Sequence, residues 1–453
     1  MKIYFEEVII MTENLREFAL KHLTDYYDLL RLPSISAQKE ALPETAELLV
    51  KLFNELGATR VEKLGSFESA PAVFAEFKGN DPTKTVLFYQ HYDVQPPEPL
   101  EKWETDPFEP TIREGKLYAR GASDNKGELI SRLVLVKYFK ENGGLPVNVK
   151  FFVEGEEEIG SPHVAQIIQE NREKLAADAC IWEGGGKNYV DNYQIVGGMR
   201  GITVFDVETT TADIDLHSSL ASYAENAAWR LVRGLATLRD DTGKVLVEGF
   251  YDDVQPLSKA EEEAVFAYDF DLDVAISRAG LRRTLKAEHK LALVNEPTMT
   301  INGLTAGYQG KGVKTVIPHM ASAKLDCRLT PSQDPKKIAQ LIQEHLDKNG
   351  FEDLKVRYRL GENGHRSPMS DPFIQLVLAK AKEYYGKQTK YLPNSAGGGP
   401  AEVFSNELDL PIVILGISYA GSQVHSPNEH IRLQDFGDGT QLLGDILVEF
   451  GKS

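Results

Sequence analysis

His91, Asp93, Asp124, the Glu157-Glu158 pair and Glu183 each follow, or closely trail, a stretch that reads as a β-strand or a glycine-rich turn. Thr85-Val86-Leu87-Phe88-Tyr89-Gln90 runs up to the histidine, Val147-Asn148-Val149-Lys150-Phe151-Phe152-Val153 to the glutamates, and Ala179-Cys180-Ile181-Trp182 to Glu183. In an open α/β sheet, ligands gather beyond the carboxyl ends of the strands. Residues far apart in sequence therefore converge there, and His425 near the end of the chain extends the set. Mixed histidine and carboxylate ligands suit zinc and, less selectively, other divalent first-row metals.

Each member also has a plain alternative. A lone His-x-Asp is common on any surface, Glu154 to Glu158 reads as a solvated acidic turn, and Glu183 can cap the turn at Gly184-Gly185-Gly186. Context favours the site. Gly121-Ala122-Ser123-Asp124-Asn125-Lys126-Gly127 is a glycine-bounded loop opening a helix, with Leu129, Leu133 and Val136 at helical spacing. An aspartate at a helix N-terminus is electrostatically favoured and held in place. The chain reads as a metallohydrolase with two metals.

The motifs Phe88-Tyr89-Gln90-His91-Tyr92-Asp93-Val94-Gln95-Pro96, Trp103 to Phe108, Leu117 to Gly127, Glu154-Gly155-Glu156-Glu157-Glu158-Ile159-Gly160-Ser161 and Val424-His425-Ser426-Pro427-Asn428-Glu429 resemble one family along nearly the whole chain from Leu15. This is the family of co-catalytic zinc exopeptidases and deacylases. It includes carnosinase-type dipeptidases, the carboxypeptidase that removes glutamate from folates, acetylornithine deacetylase and succinyl-diaminopimelate desuccinylase. The resemblance implies that His91 and Glu183 bind one metal, Glu158 and His425 the other, and that Asp124 bridges both. It implies that Asp93 orients His91 and that Glu157 is the general base. It also implies a cis peptide at Asp124-Asn125. The implied cofactors are two divalent ions, zinc first, with manganese or cobalt as alternatives.

At 453 residues the chain exceeds what one core usually supports. Its net charge of −18, from 50 basic and 68 acidic residues, argues against nucleic-acid or anionic-membrane partners. Cys180 and Cys327 form no CxxC pattern, so a reducing cytoplasm is the expected setting. No segment approaches the roughly 20 apolar residues of a membrane span. Met11 reads as an alternative start that makes the first ten residues an extension.

From Gly201 the pattern changes. A strand over 202–209, a helix over 224–238, a strand over 298–302, an alternating strand over 321–329, a helix opened by Asp334-Pro335 and closed by Gly350, and a strand with Leu354, Val356, Tyr358 and Leu360 alternating follow in order. This β-α-β-β-α-β order is ferredoxin-like. The predicted fold is thus a larger α/β/α unit, residues 1–198 and 363–453, with an inserted α+β lid, residues 199–362, used for dimerisation. Gly197-Gly198 and Asn363-Gly364 are the expected hinges.

On the lid, Arg328 stands on the polar face of its strand and either clamps a substrate carboxylate or pairs with Asp326. The family pattern favours the clamp and adds Thr315. It also implies that His217, in Asp215-Leu216-His217-Ser218, reaches the oxyanion of a partner subunit. Gly398 and Gly399, in Ser395-Ala396-Gly397-Gly398-Gly399-Pro400, offer backbone N–H groups to an anionic substrate end. Two departures stand out. Carnosinase-type enzymes carry Asp where this chain has Glu183, and their substrate-contacting histidine has no clean counterpart near Glu362-Asn363-Gly364-His365. The long stretch from Asp240 to Lys290 is in turn more like the dipeptidases. The resulting reading is hydrolysis of a dipeptide or short peptide beside a free carboxylate. An N-acyl-amino-acid deacylase is the nearer rival, and a non-catalytic binding module is the rival of another class.

Overall fold

The structure is a computed structural model that describes residues 15–65, 70–270, 272–285 and 290–453. The expected extension over the first ten residues lies outside these. A mixed ten-stranded sheet organises the larger unit. Its central order runs Ala72–Phe77, Val147–Glu154, Asp81–His91, Ala179–Trp182, Ile412–Ile414. The last four are mutually parallel neighbours, so their carboxyl ends point the same way.

Strand alternation divides the core into two layers. Val86, Phe88, Val149, Phe151, Ala179 and Ile181 face the helices Leu42–Glu55, Lys126–Glu141, Pro372–Tyr385 and Leu433–Phe450. Leu87, Tyr89, Phe152, Cys180 and Trp182 face the other way, toward Val164–Glu170 and Ala401–Leu408. Each large apolar side chain buried this way contributes roughly 1.5–3 kcal/mol. Tyr89 and Trp182 also stack with ring centroids 3.6 Å apart. The polar residues of strand Val147–Glu154 are not stranded: Lys150 Nζ donates to Ala176 O at 2.6 Å and Asn148 Nδ2 to Pro82 O at 2.9 Å.

The lid has a four-stranded antiparallel sheet in the order Thr298–Ala306, Met320–Leu329, Gly201–Thr210, Lys355–Glu362. Helices Ala227–Leu238 and Pro335–Lys348 cover one face, where Leu231, Leu235, Leu325, Cys327, Ile338 and Ile342 form its core. Asp334 caps the second helix by accepting from the N–H groups of Lys336 and Lys337 at 2.7 and 2.9 Å, with Pro335 in its first turn.

Three local expectations need correction. The first lid helix begins at Ala227 rather than 224, because the Asn226 side chain caps it through Ala228 N and Trp229 N. The strand expected over 298–302 continues to Ala306 along the sheet edge. In Lys355–Glu362 the apolar alternation is not buried: Tyr358 and Leu360 are exposed. A bulge there sets Leu360 against Val204 and Tyr358 against Phe205, so Arg359 is the extra residue and the strand is an edge.

An arm between lid helix and lid strand, including helices Lys259–Ala267 and Lys290–Asn295, leaves the lid and packs on the larger unit. There Val265, Tyr268 and Val294 join its second core layer. No helix among the described residues is long and apolar enough to cross a membrane.

Candidate metal centre

The Asp124 turn is fixed by sequence-local sterics and one remote acid. Any side chain at Gly127 would begin 1.9 Å from Ala122 O, so only glycine lets the helix Lys126–Glu141 start so close to the preceding loop. Glu429, fully buried, accepts from the N–H groups of Gly121, Ser123 and Asp124 at 3.0, 2.8 and 2.9 Å, and from Arg120 Nη1 at 2.6 Å. Asp124 thus sits just ahead of the helix, whose flanking residue is Asn125, and the Asp124-Asn125 peptide is cis.

Around it the strand ends deliver the rest. His91 Nε2 lies 3.0 Å from Asp124 Oδ1, and His425 Nε2 lies 3.0 Å from Asp124 Oδ2 and 3.2 Å from Glu158 Oε2. His91, Asp124 and Glu183 form one group whose ligand atoms all lie within 4.8 Å of one another, and Asp124, Glu158 and His425 form a second. Asp124 is common to both, one oxygen toward each histidine. All five sequence-predicted ligands are therefore brought together.

Asp93 stands behind this layer. Its Oδ1 is 3.3 Å from His91 Nδ1, and its carboxylate accepts from the N–H groups of Glu157 and Glu158 at 3.2 and 3.0 Å. It ties the histidine-bearing strand to the glutamate turn, which fixes both ring and turn. Gln95 and Asn125, quoted in the sequence motifs without a role, also bond to the acids of this cluster. Gln95 Nε2 donates to Glu158 Oε2 at 2.9 Å, and Asn125 Nδ2 to Glu183 Oε2 at 3.2 Å. Glu429 was legible within its motif but not its role, because its partners lie about three hundred residues away.

The donor chemistry fits two cations. Burial lifts Glu157 to about 7, with the charges of Asp124 and Glu158 adding to it against the pull of His91. Burial, again with Asp124 and Glu157 adding, holds Glu183 well above the usual carboxylate range. Burial opposes the ionised form of Asp124 too, but hydrogen bonds from His425 and His91 hold it below the ordinary value. Those same bonds, with Glu158, push His425 up to about 10. Glu158 Oε1 is buried without a hydrogen-bond partner. Crowded acids, a buried lone carboxylate oxygen and two imidazoles aimed at one aspartate are what a pair of divalent ions neutralises.

Among the described residues, His217, Thr315 and Arg328 make no hydrogen bond or ion pair to this cluster. His217 is exposed on the short strand Leu216–His217, with its Nδ1 2.9 Å from Ser219 Oγ. Thr315, also exposed, is beside it and accepts Ser218 N–H through its carbonyl at 3.3 Å. Arg328 is partly buried and forms no ion pair with Asp326 among the described residues. Its Nη1 is 3.7 Å from the point where a Gly398 side chain would begin, so Arg328 and Gly398 adjoin. Gly398 is exposed, whereas Gly399 is buried against Met199.

With fold and site in view, known proteins give the class. The profile of Peptidase family M20/M25/M40 matches residues 87–449, and the chain belongs to that family; it is a metallopeptidase. The Cys-Gly metallodipeptidase of Schizosaccharomyces pombe is 30% identical over 441 residues, 91% of each chain. The M20 family metallo-carboxypeptidase Sso-CP2 of Sulfolobus solfataricus superposes with a TM-score of 0.87 at 37% identity, covering 95% of this chain and 99% of that one. Human carnosine dipeptidase 1 superposes at 0.76 with 26% identity, covering 98% and 100%.

Proposed function

We propose that this protein hydrolyses dipeptides or short peptides at the amide bond next to a free carboxylate, using two divalent ions, zinc first. The observation that carries this is the single aspartate, Asp124, shared by two groups of candidate ligands, with Glu157 buried within reach of its charge. The relatives that are dipeptidases or carboxypeptidases by name support the substrate class.

Each residue then has a task. His91, Glu183 and Asp124 would hold one ion, and Glu158, His425 and Asp124 the other. Bound there, the pair would supply a more acidic water and a polarised amide carbonyl. Glu157, close to neutral pH in its affinity for a proton, accepts the proton of the attacking water and returns it to the leaving amine. Asp93, Gln95 and Asn125 keep the ligands aimed. Arg328 holds the terminal carboxylate beside the N–H groups around Gly398 and Gly399, and Thr315, which lies next to His217, reaches the substrate together with that histidine.

We assign residues 199–362 to the lid and residues 1–198 and 363–453 to the metal-binding unit. The lid also serves as the dimer interface. An apolar groove of about 510 Å³ lies between helix Ala227–Leu238 and edge strand Thr298–Ala306, lined by Val232, Leu235, Met299, Ile301 and Leu304, and Trp229 is exposed on the same helix. A long edge strand beside such a face is a pairing surface. In this dimer His217 of the partner subunit stabilises the oxyanion, which accounts for its exposed place. The buried, free Cys180 and Cys327 support a cytoplasmic setting.

Turnover of dipeptides beside N-acetyl and N-succinyl amino acids, with zinc, manganese or cobalt supplied, tests the proposal. Dipeptides should be cleaved with the higher kcat/KM. Faster cleavage of the N-acyl amino acids would make the protein a deacylase. Failure to retain any divalent metal would leave the binding-module reading.

A further inference from the structure

Glu362 ends the last lid strand, Lys355–Glu362, partly buried at the junction with the larger unit. Among the described residues its carboxylate makes no hydrogen bond or ion pair. A side chain at Gly160, just past the Glu157-Glu158 turn, would begin 3.7 Å from its Oε1, and one at Gly398 would begin 3.6 Å from its Oε2. Arg328 Nη1 is 3.7 Å from that same Gly398 position. The missing side chain at Gly398 therefore leaves a notch faced by one anion and one cation that do not pair with each other. Glu362 also lines a crevice of about 420 Å³ between lid and larger unit, with Gly160, Pro335, Tyr358, Pro400 and Val403.

A half-buried carboxylate without a partner is costly, and burial accordingly raises its pKa against the pull of Arg328. A cation arriving there removes that cost. Arg328 is read above as the clamp for the terminal carboxylate, so the cation must come close to that carboxylate. The peptide amino end is separated from it by the scissile amide. The side chain of the C-terminal residue is not: it leaves the same Cα as the carboxylate, and the crevice gives it room.

Resting on that reading of Arg328, we propose that Glu362 is a specificity-determining residue that selects substrates with a basic C-terminal side chain. The ammonium or guanidinium sits on Glu362 while Arg328 holds the adjoining carboxylate. The sequence named Glu362 only within Glu362-Asn363-Gly364-His365, the segment that gives the dipeptidases' substrate-contacting histidine no clean counterpart.

The metal-replete protein should cleave Ala-Lys and Ala-Arg with kcat/KM about ten- to hundredfold above Ala-Leu and Ala-Gln, chiefly through KM, as befits a charge-assisted contact. Glu362→Gln should bring the Ala-Lys to Ala-Leu ratio near one, and Glu362→Lys should turn the preference toward Ala-Glu; thermal melting confirms that both variants fold. Calorimetry should show free L-lysine binding more tightly than L-leucine, with the difference lost in Glu362→Gln. Equal rates for basic and neutral C-terminal residues, or an Ala-Lys preference that survives Glu362→Gln, would overturn the assignment. If no dipeptide is cleaved the peptidase reading fails instead, and the calorimetric comparison still decides the role of Glu362.

Discussion

Glu157 and Glu158 are neighbours in sequence with different surroundings in space. The Asp93 carboxylate accepts both backbone N–H groups, and this fixed turn sends Glu158 to His425 at 3.2 Å while Glu157 stays outside both ligand groups. Glu157→Ala should therefore keep both metals and lose turnover by about 10²–10⁴-fold. Glu158→Ala should lose metal, and metal analysis beside rate measurements checks both; the opposite pattern would exchange the two roles. Glu429 gives a second residue-scale prediction. Removing it strands Arg120 and three backbone N–H groups in the interior. Glu429→Ala should destabilise the fold by roughly 3–5 kcal/mol in denaturant melts and weaken metal binding by about 10–100-fold in calorimetry. Unchanged stability would show that the turn holds itself. The clustering of His91, Asp124, Glu158, Glu183 and His425 was legible because each follows a strand or lies within a motif. The roles of Gln95, Asn125 and Glu429 were not, since side-chain hydrogen bonds between distant segments leave no periodic signal.

Among the elements, the two crossings between the units run side by side. Gly198–Met199 pairs with His365–Arg366, and a side chain at Gly198 would begin 2.1 Å from His365 O. These glycines were read from sequence as sources of backbone freedom; the structure gives them a steric reason, the close approach of two chains. The arm braces the same place. Arg366 Nη1 donates to Asn295 Oδ1 at 2.9 Å and its Nη2 to Pro256 O at 3.1 Å, and Arg200 donates to the carbonyls of Leu293 and Glu296. If the lid rotates here, crystals with and without a carboxylate inhibitor should differ in interdomain angle, with Arg328 nearer the metal ligands in the inhibited form. Identical angles would leave a fixed cleft. His365 adds a pH prediction. Burial lowers its pKa from 6.5 to about 4, with Nε2 2.9 Å from Ser367 Oγ. Between those values the unfolded chain takes up a proton that the folded chain does not. Stability should thus fall as pH drops from 6.5 toward 4, by up to roughly 3 kcal/mol from this group, and His365→Gln should flatten that part of the melting curve. Strand and helix order was readable from alternation, Asp334 and Pro335. The bulge in Lys355–Glu362 was not, because an inserted residue leaves the apolar pattern intact while moving Leu360 from the face of Phe205 to that of Val204.

At the scale of the molecule, the placement of His217 is what one chain alone does not account for. It lies on an exposed ribbon, bonded to Ser219, outside both ligand groups. If a partner subunit receives it, mixing Glu157→Ala with His217→Ala should restore activity. Random exchange would place both intact residues in about a quarter of the sites. Exchange without recovery would remove the trans role. The two-unit architecture was visible in sequence as a change of pattern near Gly201, and the resemblance extended it to the metal ligands. The route of the arm back onto the larger unit was not visible, because Val265, Tyr268 and Val294 look like any apolar residues until their distant partners are known. Whether Asp124 bridges two ions is tested most directly by anomalous diffraction at the zinc edge from zinc-grown crystals. Two peaks about 3.5–4 Å apart, one among His91, Asp124 and Glu183 and the other among Asp124, Glu158 and His425, are predicted. A single peak, or peaks away from Asp124, would contradict the bridging role.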